Sequence, residues 1–105
     1  MYNELDKVII TINEYNVQRI IIIDNNTKDI SLNGKSSNLS NDQYENFLNT
    51  FFRIIRSWNT KSNMEAENLF VGINIIEKNK KYDMFIDKYI PDNYDSFIDL
   101  INTLK

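Results

Sequence analysis

The sequence predicts an α+β fold in the order helix, hairpin, helix, hairpin, helix, with a four-stranded, mainly antiparallel sheet and the helices packed on one face. Three observations predict it. A run rich in β-branched residues at 17–23 and an alternating run at 69–76 each lead through turn residues into a second apolar segment, the pattern of a hairpin. Residues 40–58 carry a helix start signal followed by an apolar stripe at helical spacing, and residues 94–104 carry another stripe. The chain has 105 residues, a hydrophobic fraction of 42% and a charged fraction of 26%, which is the make-up of one ordinary globular domain spanning 1–105.

The first element in order is a helix over residues 2–15. Leu5, Val8, Ile9, Ile12 and Tyr15 fall at spacings of three and four, with Glu4, Asp6, Lys7, Asn13 and Glu14 opposite them. Val17 then opens a β-branched run. Asp24, Asn25, Asn26 and Thr27 supply turn chemistry, and Ile30 and Leu32 alternate with Ser31 and Asn33 to complete a hairpin. Residues 20–23 are all isoleucine and so apolar toward both faces, which predicts a strand that is central or covered on both sides.

The second helix has the clearest start. Ser40 as N-cap and Gln43 three residues on form a capping box, and Leu39 and Tyr44 occupy the hydrophobic-staple positions. Tyr44, Phe47, Leu48, Phe51, Ile54, Ile55 and Trp58 line one face, and the polar residues 59–63 end the helix. Residues 63–68 read as a loop. Leu69, Val71, Ile73 and Ile75 then alternate with Phe70, Gly72, Asn74 and Ile76, and a basic turn of Lys78, Asn79, Lys80 and Lys81 leads into a strand over residues 82–89. Pro91 stops that strand, and Asp92 or Asn93 can cap a last helix bearing Tyr94, Phe97, Ile98, Ile101 and Leu104. Aligning residues 20–28 with 73–81 matches Ile20 to Ile73 and Ile22 to Ile75, a hint of a duplicated helix-hairpin unit.

The chemistry open to the chain is narrow. It has no histidine and no cysteine, so the commonest acid–base groups, nucleophiles and transition-metal ligands are missing. Gly34 and Gly72 are the only glycines, which rules out a glycine-rich phosphate loop. Gly34 is expected to end a strand at positive φ, and Gly72 to mark a bulge or a close backbone approach. Carboxylate pairs remain, at Asp83 and Asp87 or at Glu65 and Glu67. Asp83 and Asp87 share a strand face but stand about 13 Å apart at strand rise, too far for a retaining pair and long for an inverting one. Asp92, Asp95 and Asp99 read as solvated charges on a short helix and not as a metal site. No catalytic role, cofactor or metal is expected.

A net charge of −3 lacks the excess that drives phosphate binding, so direct nucleic-acid binding is not expected. Lys78, Lys80, Lys81 and Lys88 read as a solvated tip without interleaved aromatics. No secretory pattern opens the chain and its longest apolar run is too short for a bilayer, so the chain is read as complete and cytoplasmic, without a membrane partner.

The strongest binding candidate follows from strand phase. If Tyr82, Met84 and Ile86 point inward, then Asp83, Phe85, Asp87 and Tyr89 point outward, joined by Phe70 and Ile76 from the paired strand. Such a face is free for a partner, or is covered by the first helix or by a second subunit in a homodimer. Trp58, with Glu65 and Glu67 after it, is the second candidate surface. In a purely structural role Trp58 closes the core at the helix end.

An N-terminal amphipathic helix beginning Met1, Tyr2, Asn3, Glu4, Leu5, then a hairpin, then a helix ending Phe52, Arg53, Ile54, Ile55, Arg56, Ser57, Trp58, Asn59 ahead of Glu65 and Glu67, resembles small anti-CRISPR inhibitors of Gram-positive mobile elements. The resemblance covers the first two-thirds of the chain. Those inhibitors are more acidic than this chain and fill the DNA-reading groove of a nuclease with carboxylates, a role the resemblance gives to Glu65 and Glu67, with Asp83 and Asp87 if the sheet presents them. Size, acidity and α+β make-up are also similar to bacterial toxin-immunity proteins. The expectation is a non-catalytic inhibitor that occludes a larger protein, a nuclease or a toxin, through Asp83, Phe85, Asp87 and Tyr89 first and Trp58, Glu65 and Glu67 second.

Overall fold

The computed structural model describes residues 2–59 and 64–104. In chain order these form β1 (Leu5–Glu14), β2 (Val17–Asp24), β3 (Asp29–Leu32), β4 (Lys35–Ser36), α1 (Asn41–Arg56), β5 (Met64–Glu77), β6 (Lys80–Ile90) and α2 (Tyr94–Asn102), with a 3-10 turn at Ser57–Asn59 closing α1. The six strands make one antiparallel sheet in the order β4-β3-β2-β1-β5-β6. The α+β class stands, whereas the four-stranded sheet and the helix-hairpin-helix-hairpin-helix order do not.

The largest correction is at the start of the chain, where the expected helix over residues 2–15 is the central strand β1. Leu5, Val8 and Ile12 fit either period, but residues 8–12 are Val, Ile, Ile, Thr and Ile, all β-branched and stiff at χ1, and their burial alternates strictly. Val8, Ile10 and Ile12 are fully buried, while Ile9 and Thr11 are only partly so. The helical reading put Ile9 on the core face; the strand puts Ile10 there. The turn into β2 gives little warning of itself. Tyr15 and Asn16 form a two-residue connection with φ of 50° and 68°, the positive values such hairpins require, yet neither is glycine.

The second addition is β4. Asn33 and Gly34 connect Leu32 to Lys35 with φ of 50° and 85°, so Gly34 has the expected positive φ but joins two strands where one was foreseen. The expected loop at 63–68 is also strand from Met64 onward; Asn63 and the helix-ending residues 60–62 lie outside the described residues.

Register explains how one core forms. Ile10 lies opposite Ile21 on β2 and Ile73 on β5, Val8 opposite Ile23, Ile23 opposite Ile30 on β3, and Val71 opposite Ile86 on β6. All of these are buried. Cross-strand partners point to the same side of a sheet, so the apolar residues share one face. Each adds about 1.5–3 kcal/mol on leaving water. The expected alignment of Ile20 with Ile73 is therefore out of register by one residue, because Ile21 is the residue that matches Ile73 across β1. With a strand and not a helix before the first hairpin, the duplicated helix-hairpin unit has no structural counterpart.

Both helices lie on that core. α1 buries Tyr44, Phe47, Leu48, Phe51, Ile54 and Ile55, and α2 buries Tyr94, Phe97 and Ile101. The capping box of α1 is formed, with the Gln43 N–H donating to Ser40 Oγ at 3.2 Å and the Ser40 N–H donating to Gln43 Oε1 at 2.9 Å. At α2 the cap is weaker than expected. Asn93 stands at the N-cap with φ of 64° and makes no side-chain cap; its amide instead donates to Ser57 Oγ at 3.0 Å. β2 is an interior strand, as its run of isoleucines predicts, but the described residues cover only one of its faces.

Tyr44 ties α1 to the start of the sheet. Its hydroxyl donates to Asn25 Oδ1 at 2.8 Å, and Asn25 Nδ2 donates to the carbonyls of Tyr2 and Leu5 at 3.0 and 2.9 Å. Burial, and then the carboxylates of Glu45 and Asp24, push the Tyr44 phenol up to about 12.

Two predictions follow from this packing. Ile10→Ala is expected to destabilise by about 2–5 kcal/mol in denaturant unfolding, and Ile9→Ala by clearly less; the reverse order would restore the helix. The folded state holds the Tyr44 proton above pH 10, where the unfolded chain releases it, so this group's contribution is complete below pH 10 and is lost as pH rises toward 12. Screening reduces the effect to on the order of 1 kcal/mol. Tyr44→Phe should remove that part of the alkaline loss, as read from thermal midpoints between pH 9 and pH 12.

Candidate functional site

The sheet face turned away from the helices carries no element of the described chain. Along it, β1 presents Ile9 and Thr11, β2 presents Ile20 and Ile22, β5 presents Phe70, Gly72, Asn74 and Ile76, and β6 presents Asp83, Phe85 and Asp87. The register ties them together: Thr11 lies between Ile20 and Gly72, Ile9 between Ile22 and Asn74, and Gly72, Asn74 and Phe70 lie opposite Phe85, Asp83 and Asp87. Three large apolar side chains here are well exposed, Phe85 at 66%, Phe70 at 39% and Ile20 at 37%.

Gly72 shapes the centre of this face. The Phe70 ring lies over it, and a Cβ placed on Gly72 would stand 3.2 Å from Phe70 Cε2. The expected close approach at Gly72 is therefore made by an aromatic ring. Phe70 continues onto Phe85 across the strand, with ring centroids 6.4 Å apart and planes 21° from parallel. Carboxylates border the pair. Asn74 Nδ2 donates to Asp83 Oδ1 at 2.6 Å and so fixes that carboxylate, while Asp87 lies opposite Phe70.

The predicted site residues divide. Asp83, Phe85 and Asp87 share the open face as the strand phase required, with Phe70 and Ile76 beside them. Tyr89 does not join them. Lys88 takes φ of 65°, and between the Phe70–Asp87 and Glu65–Tyr89 pairs the ladder is irregular, so alternation breaks and Tyr89 packs partly against the core. Tyr82, placed inward by the same phase, stays 45% exposed near the hairpin turn.

Trp58 is 5% exposed and meets Phe97 edge-on at 4.9 Å, so it closes the core at the end of α1 and offers no surface. Glu65 and Glu67 are exposed on β5. Glu67 and Asp87 line one shallow recess of about 200 Å³ with Asn13, Asn16 and Phe70, which joins part of the second predicted surface to the first.

Sequence reasoning missed the half of the face supplied by Ile9, Thr11, Ile20 and Ile22. The signal was the β-branched alternation of residues 8–12, obscured by its coincidence with helical spacing.

Elsewhere, a recess of about 590 Å³ between the chain start and the end of α1 is lined by Tyr2, Glu4, Leu5, Phe52, Arg56 and Glu77. Tyr2 stacks on Phe52 there at 5.0 Å. Among the described residues, no three Asp or Glu side chains are grouped to hold a metal ion, and no helix is long and apolar enough to cross a membrane. No family model matches the chain, and neither a curated protein nor a solved structure matches it.

If the exposed rings interact as placed, a double-mutant cycle with Phe70→Ala and Phe85→Ala should give a coupling of about 0.5–1 kcal/mol in urea unfolding. Additive losses would show that the rings do not touch in solution.

Proposed function

We propose that the protein is a small non-catalytic inhibitor that occludes a surface of a larger protein, with the open sheet face as its contact surface. One observation carries the reading: a stacked aromatic pair stands in solvent, bordered by Asp83, Asp87 and Glu67, on a face that nothing in the described chain covers. A contiguous exposed apolar patch with a charged rim is the anatomy of a protein-contact surface before its partner binds. Apolar centre and acidic rim together favour a partner surface with a hydrophobic socket flanked by lysine or arginine. A nucleic-acid-binding groove of a nuclease or of a toxin has that chemistry, which supports both an anti-CRISPR and a toxin-immunity reading, in the cytoplasm and without direct nucleic-acid contact. The buried Trp58 leaves this surface to Phe70, Phe85 and the carboxylates.

The test is binding of the purified protein to CRISPR nucleases and to nuclease toxins, read by calorimetry. Phe85→Ala with Asp87→Ala is expected to weaken binding at least about a hundredfold, as loss of a central anchor does, and to lower the thermal midpoint by no more than the few degrees that loss of the Phe70–Phe85 contact accounts for. Binding that survives both changes would exclude this face, and a large fall in the midpoint would show that the two residues are part of the core.

A further inference from the structure

β6 is an edge strand, and we propose that it is the seam of a two-fold symmetric dimer in which one continuous sheet runs through two copies of the chain. The two edges of the sheet differ sharply. β4 is two residues long and has little backbone to offer. β6 has eleven residues, and among the described residues no loop or turn backbone hydrogen bond reaches its residues 80–90. An edge of this length normally carries a device that prevents pairing. Backbone devices stand at its end, where Lys88 has φ of 65° and Pro91 follows with no N–H to donate, while Lys80, Lys81, Asp83 and Asp87 set charges along the strand that a partner strand must match. The regular stretch, residues 81–87, is left open.

The side chains of that stretch select a second copy and a register. In a two-fold antiparallel pair, each residue lies opposite one equally far from the axis on the other side, and opposed residues share a face. With the axis beside Met84, Lys81 of each copy lies opposite Asp87 of the other, giving two opposite-charge pairs at the two ends of the seam. Tyr82 lies opposite Ile86, which gives its 45% exposed ring an apolar neighbour. Asp83 lies opposite Phe85, so the two Phe85 rings become diagonal neighbours and extend the Phe70–Phe85 stack across the axis, while the two Asp83 carboxylates, each bonded to its own Asn74, form the other diagonal pair. Moving the axis to Asp83 opposes the two Asp83 carboxylates. Moving it to Phe85 opposes Asp83 and Asp87 twice. The register centred on Met84 avoids both.

This dimer uses backbone groups at the edge and leaves the open face uncovered, so it does not rest on the inhibitor reading. It doubles that face.

The test is sedimentation equilibrium of the intact protein across a concentration series, with circular dichroism to check the fold of each variant. The wild type is expected to show a reversible monomer–dimer equilibrium. Asp87→Lys and Lys81→Asp, each alone, oppose like charges at both ends of the seam and should raise the dimer Kd by about tenfold or more; the combined variant restores opposite charges and should return to within about threefold of the wild type. A wild type that remains monomeric at about 1 mM overturns the proposal. So does a dimer that ignores both charge reversals but is lost with Ile20→Lys, since that dimer packs through its open faces. Protection of the β6 amides from hydrogen exchange only on adding an inhibitor target would also overturn it, by assigning the edge to a different protein. Target binding is measured separately through Phe70→Ala, on the open face but outside the seam strand, so either reading can fail alone.

Discussion

Pairing of β1 on both of its edges is the constraint from which the rest of the molecule follows. Its residues meet β2 on one side from Lys7 to Glu14 and β5 on the other from Leu5 to Glu14, so a strand from the beginning of the chain joins two hairpins otherwise separated by α1. Because Ile10 faces Ile21 and Ile73 at once, the two hairpins must turn their apolar residues to the same side. That side then needs a cover about 10 Å away, which the stripes of α1 and α2 supply. Among the described residues the opposite side receives none, since both helices are used on the first. An uncovered face is thus a result of the topology as well as of the residues on it.

Legibility in the sequence depended on whether a segment's signals were redundant. α1 carries a capping box, a staple and a six-residue stripe, and all three point to the same helix. The β5–β6 hairpin shows alternation on both arms. Residues 2–15 carry one signal, apolar spacing, and Leu5, Val8 and Ile12 satisfy two periods equally; the β-branched content decides in favour of strand only when it is weighed against the polar face that a helix would also have had. The hairpin turn at Tyr15 and Asn16 lacks the glycine that would have marked it, so the boundary ahead of Val17 reads as a helix end where a reversal between two strands occurs. Tertiary pairing, and not local propensity, settles such a segment.

The site was legible to the same extent. Asp83, Phe85 and Asp87 lie where alternation places them, whereas Tyr89 does not, because one residue at positive φ resets the phase. A backbone irregularity of that kind has no reliable mark in a lysine. Glu67 reaches the neighbourhood of Asp87 only through the irregular ladder between β5 and β6, which spacing along the chain does not reveal. Trp58 carries a different lesson: a lone tryptophan at a helix end, beside polar residues, has the composition of an interface anchor and the burial of a core residue, and the α2 aromatics Tyr94 and Phe97 decide between them.

The seam between β1 and β5 also bears on how the chain is made. Each hairpin closes over a few residues, but Glu14 meets Leu69 and Leu5 meets Glu77, contacts that span most of the sequence. Loop closure over such a distance is the slow kind of contact formation. During synthesis the strand that will become the middle of the sheet emerges ahead of α1 and keeps one bare edge until residues 69–77 leave the ribosome, several seconds later at about 5–20 residues per second. For that interval the nascent chain exposes an isoleucine-rich edge of the kind chaperones bind and neighbouring chains invade. The order of elements along the gene therefore places the protein's greatest exposure to misassembly before its fold exists.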